Sequence, residues 1–345
     1  MNGDEPRAGR DSGPDRKASP GIATSAVAQA HPSLALVKYW GKQPGGVNLP
    51  ATSSLGVALE ALTTRTECRL SPEDALTVDG VAVDSRKLAT FFGELRRYVS
   101  AHHPEPIRFS AQSHNSFPTA AGLASSASGY AALTVAAVAA AGGDTSDTER
   151  LSALARHGSG SAARSIFGGF TAWPAGARAA TEIFPQTWWP EVRIVVLPLS
   201  SVAKPISSRD AMNLTRDTSP YYQAWVADAP ALFRRAYDAV SCRDMEALGV
   251  VMRESYLRMF ATMLGADPPV EYWIPASVAV QRHLAELRGQ GIAAWETMDA
   301  GPQVKVLTTA ADADRVAREC RPWCSGAPVV SAVGGAARLV APTGS

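Results

Sequence analysis

The segment Pro118-Thr119-Ala120-Ala121-Gly122-Leu123-Ala124-Ser125-Ser126-Ala127-Ser128-Gly129 combines small residues with clustered hydroxyls. Small side chains let a backbone approach a ligand closely, and the Ser125 and Ser126 hydroxyls can donate to phosphate oxygens. The Ala-rich stretch that follows would present the free N–H groups of a helix N-terminus to an anion. Close helix packing accounts for the same composition, so the residues alone leave a phosphate cradle and a packing seam both open. No Gly-Lys-Ser/Thr triplet follows and the GxGxxG spacing is missing, which excludes a Walker A loop and a dinucleotide fingerprint. Asp299 opens Asp299-Ala300-Gly301-Pro302 and can serve either as a base at a strand end or as a cap on turn N–H groups. If a helix starts near Gly160, then Ser161, Arg164 and Ser165 share one face, with the helix's first N–H groups turned to an anion. Lys38, Tyr39 and Lys42 gather before the Pro44-Gly45-Gly46 turn, where two lysines can meet a ligand or simply face solvent.

The elements that must hold these residues are legible in outline. Ser33 to Val37 reads as a strand ending at Lys38, and Ser53 to Leu70 as an antiparallel strand with one wet face. Leu76 to Val83 carries Asp79-Gly80 at its middle and predicts a hairpin; Leu88 to Ser100 has helical apolar spacing, and Ile107 to Ser110 is a strand. The run Ala131 to Ala141 is too short and too Ala-rich to span a bilayer and is expected to be a buried helix. After Thr187 to Val192, a continuous apolar strand (RIVVLPL) marks a domain boundary. Helices are expected at Tyr221 to Val240, Met245 to Met263, Ser277 to Arg288 and Asp312 to Glu319. Strands are expected at Ala293 to Met298, Val304 to Thr308 and near Val329. Strands and helices intermingle in both halves, which gives an α+β chain of two domains.

Composition bounds the function. Lys plus Arg total 33 against 32 Asp plus Glu, so the formal charge of +1 supplies no field for nucleic acid or an anionic membrane, and an anionic ligand must be held locally. Cys68, Cys242, Cys320 and Cys324 form no CxxC pair and read as free thiols of a reducing cytoplasm. Residues 1–27 mix both charges with Gly and Pro, lack the apolar core of a secretory signal, and are expected to be a disordered extension. Residues 28–190 are expected to form an N-terminal domain, and 191–345 a C-terminal domain.

Five ordered blocks carry a resemblance: Val37 to Lys42 (VKYWGK), Phe117 to Gly129 (FPTAAGLASSASG), Gly158 to Gly169 (GSGSAARSIFGG), Ser207 to Pro220 (SSRDAMNLTRDTSP) and Thr297 to Leu307 (TMDAGPQVKVL). Together they resemble the superfamily of galactokinase, homoserine kinase, mevalonate kinase and phosphomevalonate kinase, and within it the diphosphomevalonate decarboxylases. The resemblance implies a ribosomal protein S5 domain 2-like N-terminal domain and a ferredoxin-like C-terminal domain with the site in the cleft between them, usually as a homodimer. It implies ATP and Mg2+ as cofactors, with no protein residue singled out as a metal ligand. The implied reaction phosphorylates the tertiary 3-hydroxyl of mevalonate 5-diphosphate and then releases phosphate and carbon dioxide to leave isopentenyl diphosphate.

On this resemblance Asp299, Arg164 and Lys38 are the catalytic residues, with Asp299 as base and Arg164 as a fork on the carboxylate. Tyr39, Lys42, Ser159, Ser161, Ser208 and Arg209 are similar to substrate-binding positions, and Gly122, Ser125 and Ser126 to ATP-binding ones. Met212 and Trp225 are expected to pack, and none of the six histidines occupies a family position. The chain departs from the pattern at Ser33, Gln43, Pro44, Gly56 and Gln303, while the reacting residues stay. A homologous kinase or decarboxylase acting on mevalonate 5-phosphate or another 3-hydroxy acid is the alternative these departures leave.

Overall fold

The computed structural model describes residues 25–44, 46–100, 107–117, 125–202 and 204–342. Three sheets organise them. The first has the order β14-β1-β4-β7-β5-β6, from β1 (Ser25–Ala30), β4 (Thr64–Ser71), β5 (Ala75–Val78), β6 (Val81–Ala82), β7 (Arg108–Asn115) and β14 (Arg338–Leu339). The second runs β2 (Ser33–Val37), β3 (Ser54–Ala58), β8 (Phe170–Trp173) and β9 (Thr181–Phe184). The third, in the C-terminal half, has the order β11 (Trp295–Met298), β12 (Val304–Thr309), β10 (Val192–Leu197) and β13 (Val329–Ser331), all antiparallel.

Helices α1 (Ser85–Val99), α2 (Ser125–Ala140), α3 (Thr148–Gly158) and the single turn α4 (Ala162–Ser165) belong to the N-terminal half. In the C-terminal half lie α5 (Ser208–Thr218), α6 (Tyr222–Cys242), α7 (Met245–Leu264), α8 (Pro275–Gly289) and α9 (Ala313–Cys320). α2 is buried nearly all round because alanines let it lie against β1 and β4 on one side and α3 and α4 on the other. Among the described residues no helix is long and apolar enough to cross a membrane. The turn at Asp79 and Gly80 has φ of 49° and 81°, as a two-residue hairpin with the right-handed strand twist requires.

Several sequence expectations change. Ser53 to Leu70 is not one strand but β3 and β4, which sit in different sheets; all five β3 residues are buried, so it has no wet face. The apolar alternation simply continues through Ala61 and Leu62, where the chain turns. The strand expected at Ile107 to Ser110 runs on to Asn115 because β4 pairs with it along eight positions. β1 begins at Ser25, inside the extension expected at 1–27, and pairs with β4 along its length; the rest of that extension lies outside the described residues. The chain end returns to the N-terminal half: Leu59 bridges Val333, and β14 pairs with β1. One apolar core runs from Leu34, Val37, Trp40 and Leu55 into Trp225, Tyr256 and Met298, while a second lies between α1, α2 and the first sheet. The second sheet is therefore the seam on which the two halves meet.

Candidate active site

β2 ends at this seam, and Lys38 follows it directly. Its N–H donates to Ser255 Oγ of α7 at 3.0 Å, which fixes the strand end against the C-terminal half. The side chain, 1% exposed, donates from Nζ to Ala35 O and to Asp299 Oδ1, both at 2.8 Å. Lys305, also buried, closes the other side of the same carboxylate at 3.1 Å from Oδ2. Burial by itself would raise the Asp299 carboxyl, but the Lys38 and Lys305 ammonium groups outweigh it and hold the group well below the usual carboxylate range. Burial pushes the Lys38 ammonium down to about 8 against the opposing pull of Asp299.

Arg164 reaches the same place from α4. The helix posited to start near Gly160 is a single turn with Ser161 at its N-cap, and Ser165 turns to β2, its Oγ accepting from Ser33 N at 3.1 Å. The Arg164 guanidinium is 2% exposed and donates to Ser54 Oγ at 2.7 Å and Ser33 Oγ at 3.4 Å. It makes no ion pair among the described residues. Burial pushes it down to about 10, with Asp299 and Tyr39 pulling the other way. A buried cation held by neutral hydroxyls is a preformed receptor for an anion. Gly56 makes the room: a Cβ there would stand 2.6 Å from Ser33 Oγ and 2.7 Å from Arg164 Nε.

A second cluster lies one turn of chain away. Gly41, at φ 101°, bends the backbone beside Tyr222 and brings Lys42 round. Burial, helped by the neighbouring Arg209, lowers the Lys42 ammonium to about 8. Tyr39 packs against Trp173 at a tilt, with centroids 4.9 Å apart, and Gly160 faces its hydroxyl, which is buried without a hydrogen-bond partner among the described residues. Burial raises this phenol, and the nearby Arg164 and Arg209 draw it back. Tyr39, Lys42 and Arg209 thus converge with donors left open, as a multiply charged anion would need.

A chain of hydroxyls runs from the start of α2 to the N-cap of α4. Ser126 Oγ lies 3.3 Å from Ser159 Oγ, which lies 3.2 Å from Ser161 Oγ, so the start of α2 communicates with the seam. Ser125 is the first residue of α2. Gly122 and the rest of Pro118 to Ala124 fall outside the described residues. Ser208 opens α5, and its Oγ accepts from Lys204 Nζ at 2.7 Å, a lysine that also donates to Ala300 O at 3.3 Å beside Asp299. Met212 and Trp225 pack as expected, the indole of Trp225 donating to Trp40 O at 3.0 Å.

Sequence reasoning passed over Lys305, Lys204 and Ser54. The signal for Lys305 was present, a lone lysine inside the apolar run Val304 to Leu307 six residues after Asp299; Ser54 had none, since only tertiary packing sets it against Arg164. Gln303 proves to be scaffold: its Oε1 accepts from Leu199 N at 2.5 Å and its Nε2 donates to Ser200 O at 2.6 Å.

Comparison with known proteins gives one answer along the chain. A model of the diphosphomevalonate decarboxylase-like N-terminal domain matches residues 30–183, and one of the mevalonate 5-diphosphate decarboxylase C-terminal domain matches 194–328. The diphosphomevalonate decarboxylase of Candida albicans is 33% identical over 313 residues, 85% of this chain and 86% of that protein. That of Ganoderma lucidum is 36% identical over 82% of this chain and 78% of its own length. Among solved structures, mevalonate diphosphate decarboxylase from Staphylococcus aureus superposes with a TM-score of 0.85 at 32% identity, covering 92% of this chain and 98% of that one. A complex of MDDEF with MVAPP, AMPPCP and magnesium superposes at 0.84 with 35% identity, over 92% and 99%.

Proposed function

The chain belongs to the diphosphomevalonate decarboxylase family, and from that footing we propose how its own residues carry out the ATP-dependent decarboxylation of mevalonate 5-diphosphate to isopentenyl diphosphate. The observation that carries the reading is a buried guanidinium without an acidic partner, Arg164, beside a carboxylate gripped by two ammonium groups, Asp299. The substrate presents the complementary pair, a carboxylate and a tertiary hydroxyl on neighbouring carbons.

In this reading Arg164 takes the substrate carboxylate in a two-pronged hold, and Asp299 accepts a hydrogen bond from the 3-hydroxyl. The hydroxyl oxygen attacks the γ-phosphorus of ATP and ADP departs. Phosphoryl transfer is loose in its transition state and asks little of a base until late, so a carboxylate of low basicity suffices to orient the oxygen and take its proton. Lys38 and Lys305 meet the negative charge that gathers there. The C3–O bond then breaks with its electron pair leaving on phosphate. The C1–C2 bond breaks, its pair forms the C2–C3 double bond, and carbon dioxide leaves. Tyr39, Lys42, Ser208, Arg209, Ser159 and Ser161 are assigned to the diphosphate end, and Ser125, Ser126 and the Gly122 backbone to the ATP phosphates.

The serine chain from Ser126 to Ser161 suits phosphate oxygens from both sides. Mg2+ would be carried on the ATP phosphates, with the Ser125 and Ser126 hydroxyls as the side chains that would help to hold it. It would supply neutralisation of phosphate charge. We further propose a cytoplasmic homodimer, with an N-terminal unit of 25–190 completed by the returning chain end and a C-terminal unit over the rest. Of the departures, Ser33 and Gly56 flank Arg164 at the acid end and Gln303 braces backbone, which supports retention of the 5-diphosphate as substrate. Carbon dioxide release from carboxyl-labelled mevalonate, its 5-phosphate and its 5-diphosphate with ATP tests this: the diphosphate should lead by more than about a hundredfold in kcat/KM, because buried donors would otherwise go unpaired. Equal use of an unphosphorylated 3-hydroxy acid would overturn it.

A further inference from the structure

A cleft of about 560 Å3 opens on the N-terminal half between α1, α3 and the loop 46–49, apart from the residues assigned to the reaction. Four arginines line it, Arg97, Arg150, Arg156 and Arg178, against a single lining acid, Glu94. Glu94 is engaged by Arg97 at 2.5 Å, and Arg150 pairs with Asp147 at 3.1 Å. The guanidinium of Arg178 has neither ion pair nor hydrogen bond among the described residues. Arg156 is buried and donates only to neutral acceptors: Arg178 O at 2.8 Å, Val47 O, and His157 Nε2 at 3.2 Å.

That last bond fixes the imidazole. A guanidinium cannot accept, so His157 Nε2 accepts and the ring proton of the neutral imidazole sits on Nδ1. Nδ1 is buried with no hydrogen-bond acceptor, the nearest carboxylate oxygen, Glu94 Oε1, being 3.7 Å away. Burial and Arg156 both lower the His157 imidazolium, with Glu94 pulling the other way. The wall of the cleft therefore holds a buried N–H donor without an acceptor and two guanidinium groups without an ion-pair partner among the described residues, Arg156 and Arg178, next to the apolar surfaces of Val47, Leu49 and Leu154. Strong acceptor oxygens attached to a compact apolar body complete such a set.

We propose that this cleft binds a small organic phosphate or diphosphate, and that its occupancy is transmitted to Lys42. The transmission runs through the loop. Arg156 holds Val47 O, and its own carbonyl accepts from Asn48 Nδ2 at 2.8 Å, so the loop is fastened to α3 at both these residues. The same loop closes on the strand end that carries Lys42, through Gln43 N to Leu49 O at 2.9 Å and Ala51 N to Gly41 O at 3.1 Å. An anion that recruits the Arg156 guanidinium competes with Val47 O and loosens that fastening. The binding rests on the cleft alone, whereas the transmission rests on the placement of Lys42 at the substrate argued above.

Inorganic diphosphate is the probe, titrated calorimetrically into the full chain and into the double variant Arg150→Gln/Arg178→Gln. Both residues are exposed and stand outside the reacting groups, so the double variant should keep its melting temperature and its kcat/KM within about twofold. The wild type should bind one more diphosphate per chain than the double variant, and mevalonate 5-diphosphate should displace the one that the variant retains. If the substrate site failed to take diphosphate, the wild type would bind one and the variant none, which leaves the cleft proposal standing. Identical stoichiometry and affinity in the two proteins would overturn it. Hydrogen exchange reads the transmission: diphosphate should speed exchange at the Gln43 and Ala51 amides in the wild type beyond any change in the variant, and equal changes would refute the coupling.

Discussion

Replacing Arg164 by Gln should separate activity from stability. Burial drives this guanidinium down to about 10, more than two decades below its ordinary value, which at 1.36 kcal/mol per decade sets the cost of keeping it charged in the fold at about 3 kcal/mol. Its direct partners among the described residues are the hydroxyls of Ser54 and Ser33, worth roughly 1 kcal/mol each. A glutamine amide can retain one of these bonds, and the shortened side chain leaves a small void costing on the order of 1 kcal/mol. These terms nearly cancel, so the variant should be between equally stable and about 2 kcal/mol more stable, although it loses one of the largest fully buried side chains of the protein. Its kcat/KM should fall steeply, because removing one partner of a desolvated charge pair costs about 2–5 kcal/mol, or roughly 30- to 5,000-fold. Urea unfolding, together with labelled carbon dioxide release, measures both. A loss of more than about 2 kcal/mol in stability, or undiminished turnover, would refute the view of Arg164 as a preformed carboxylate receptor.

Alkaline pH should act on activity and stability in opposite directions. With Lys38 and Lys42 both lowered to about 8, kcat/KM should decline above that pH. The folded chain then releases protons that the unfolded chain still holds up to about 10.4, so these groups make stability rise over the same interval. Lys42→Arg should remove one of the two ionisations from the pH–rate profile, and a profile flat to pH 10 would exclude both lysines. Ser125→Ala with Ser126→Ala should raise the KM for ATP without a large drop in melting temperature, whereas unchanged ATP kinetics with a large drop would mark the serines as packing residues. Gly56→Ala should displace Arg164, destabilising by about 1–3 kcal/mol and lowering kcat at least tenfold, with Ser33→Ala partly restoring it by freeing space; unaltered kcat would show the contact to be slack. Arg209→Ala should shrink the preference for the 5-diphosphate over unphosphorylated mevalonate more than it lowers activity on the poorer substrate, read from kcat/KM on each.

The sequence alone determined most of what depends on local pattern. Helices such as Met245–Leu264, whose apolar residues face the core, and strands such as Val304–Thr309, unbroken by any turn residue, emerge close to their observed limits because periodicity and turn chemistry act over neighbouring positions. The motif blocks brought Lys38, Arg164 and Asp299 forward through their resemblance to the family, since the residue types alone left a solvent-facing lysine, a surface salt bridge and a turn cap equally open. What tertiary structure decided lies between segments. Residues 53–70 divide into two sheets because β3 pairs with β2 and β8 whereas β4 pairs with β1 and β7, and β14 completes the first sheet by pairing with β1. That Arg164 meets two serines and no acid, while Asp299 meets two lysines, follows from three strands and a single helical turn converging at the seam between the halves. Residue type sets which charges are available, but only the three-dimensional arrangement decides which are neutralised and which stay open for a ligand.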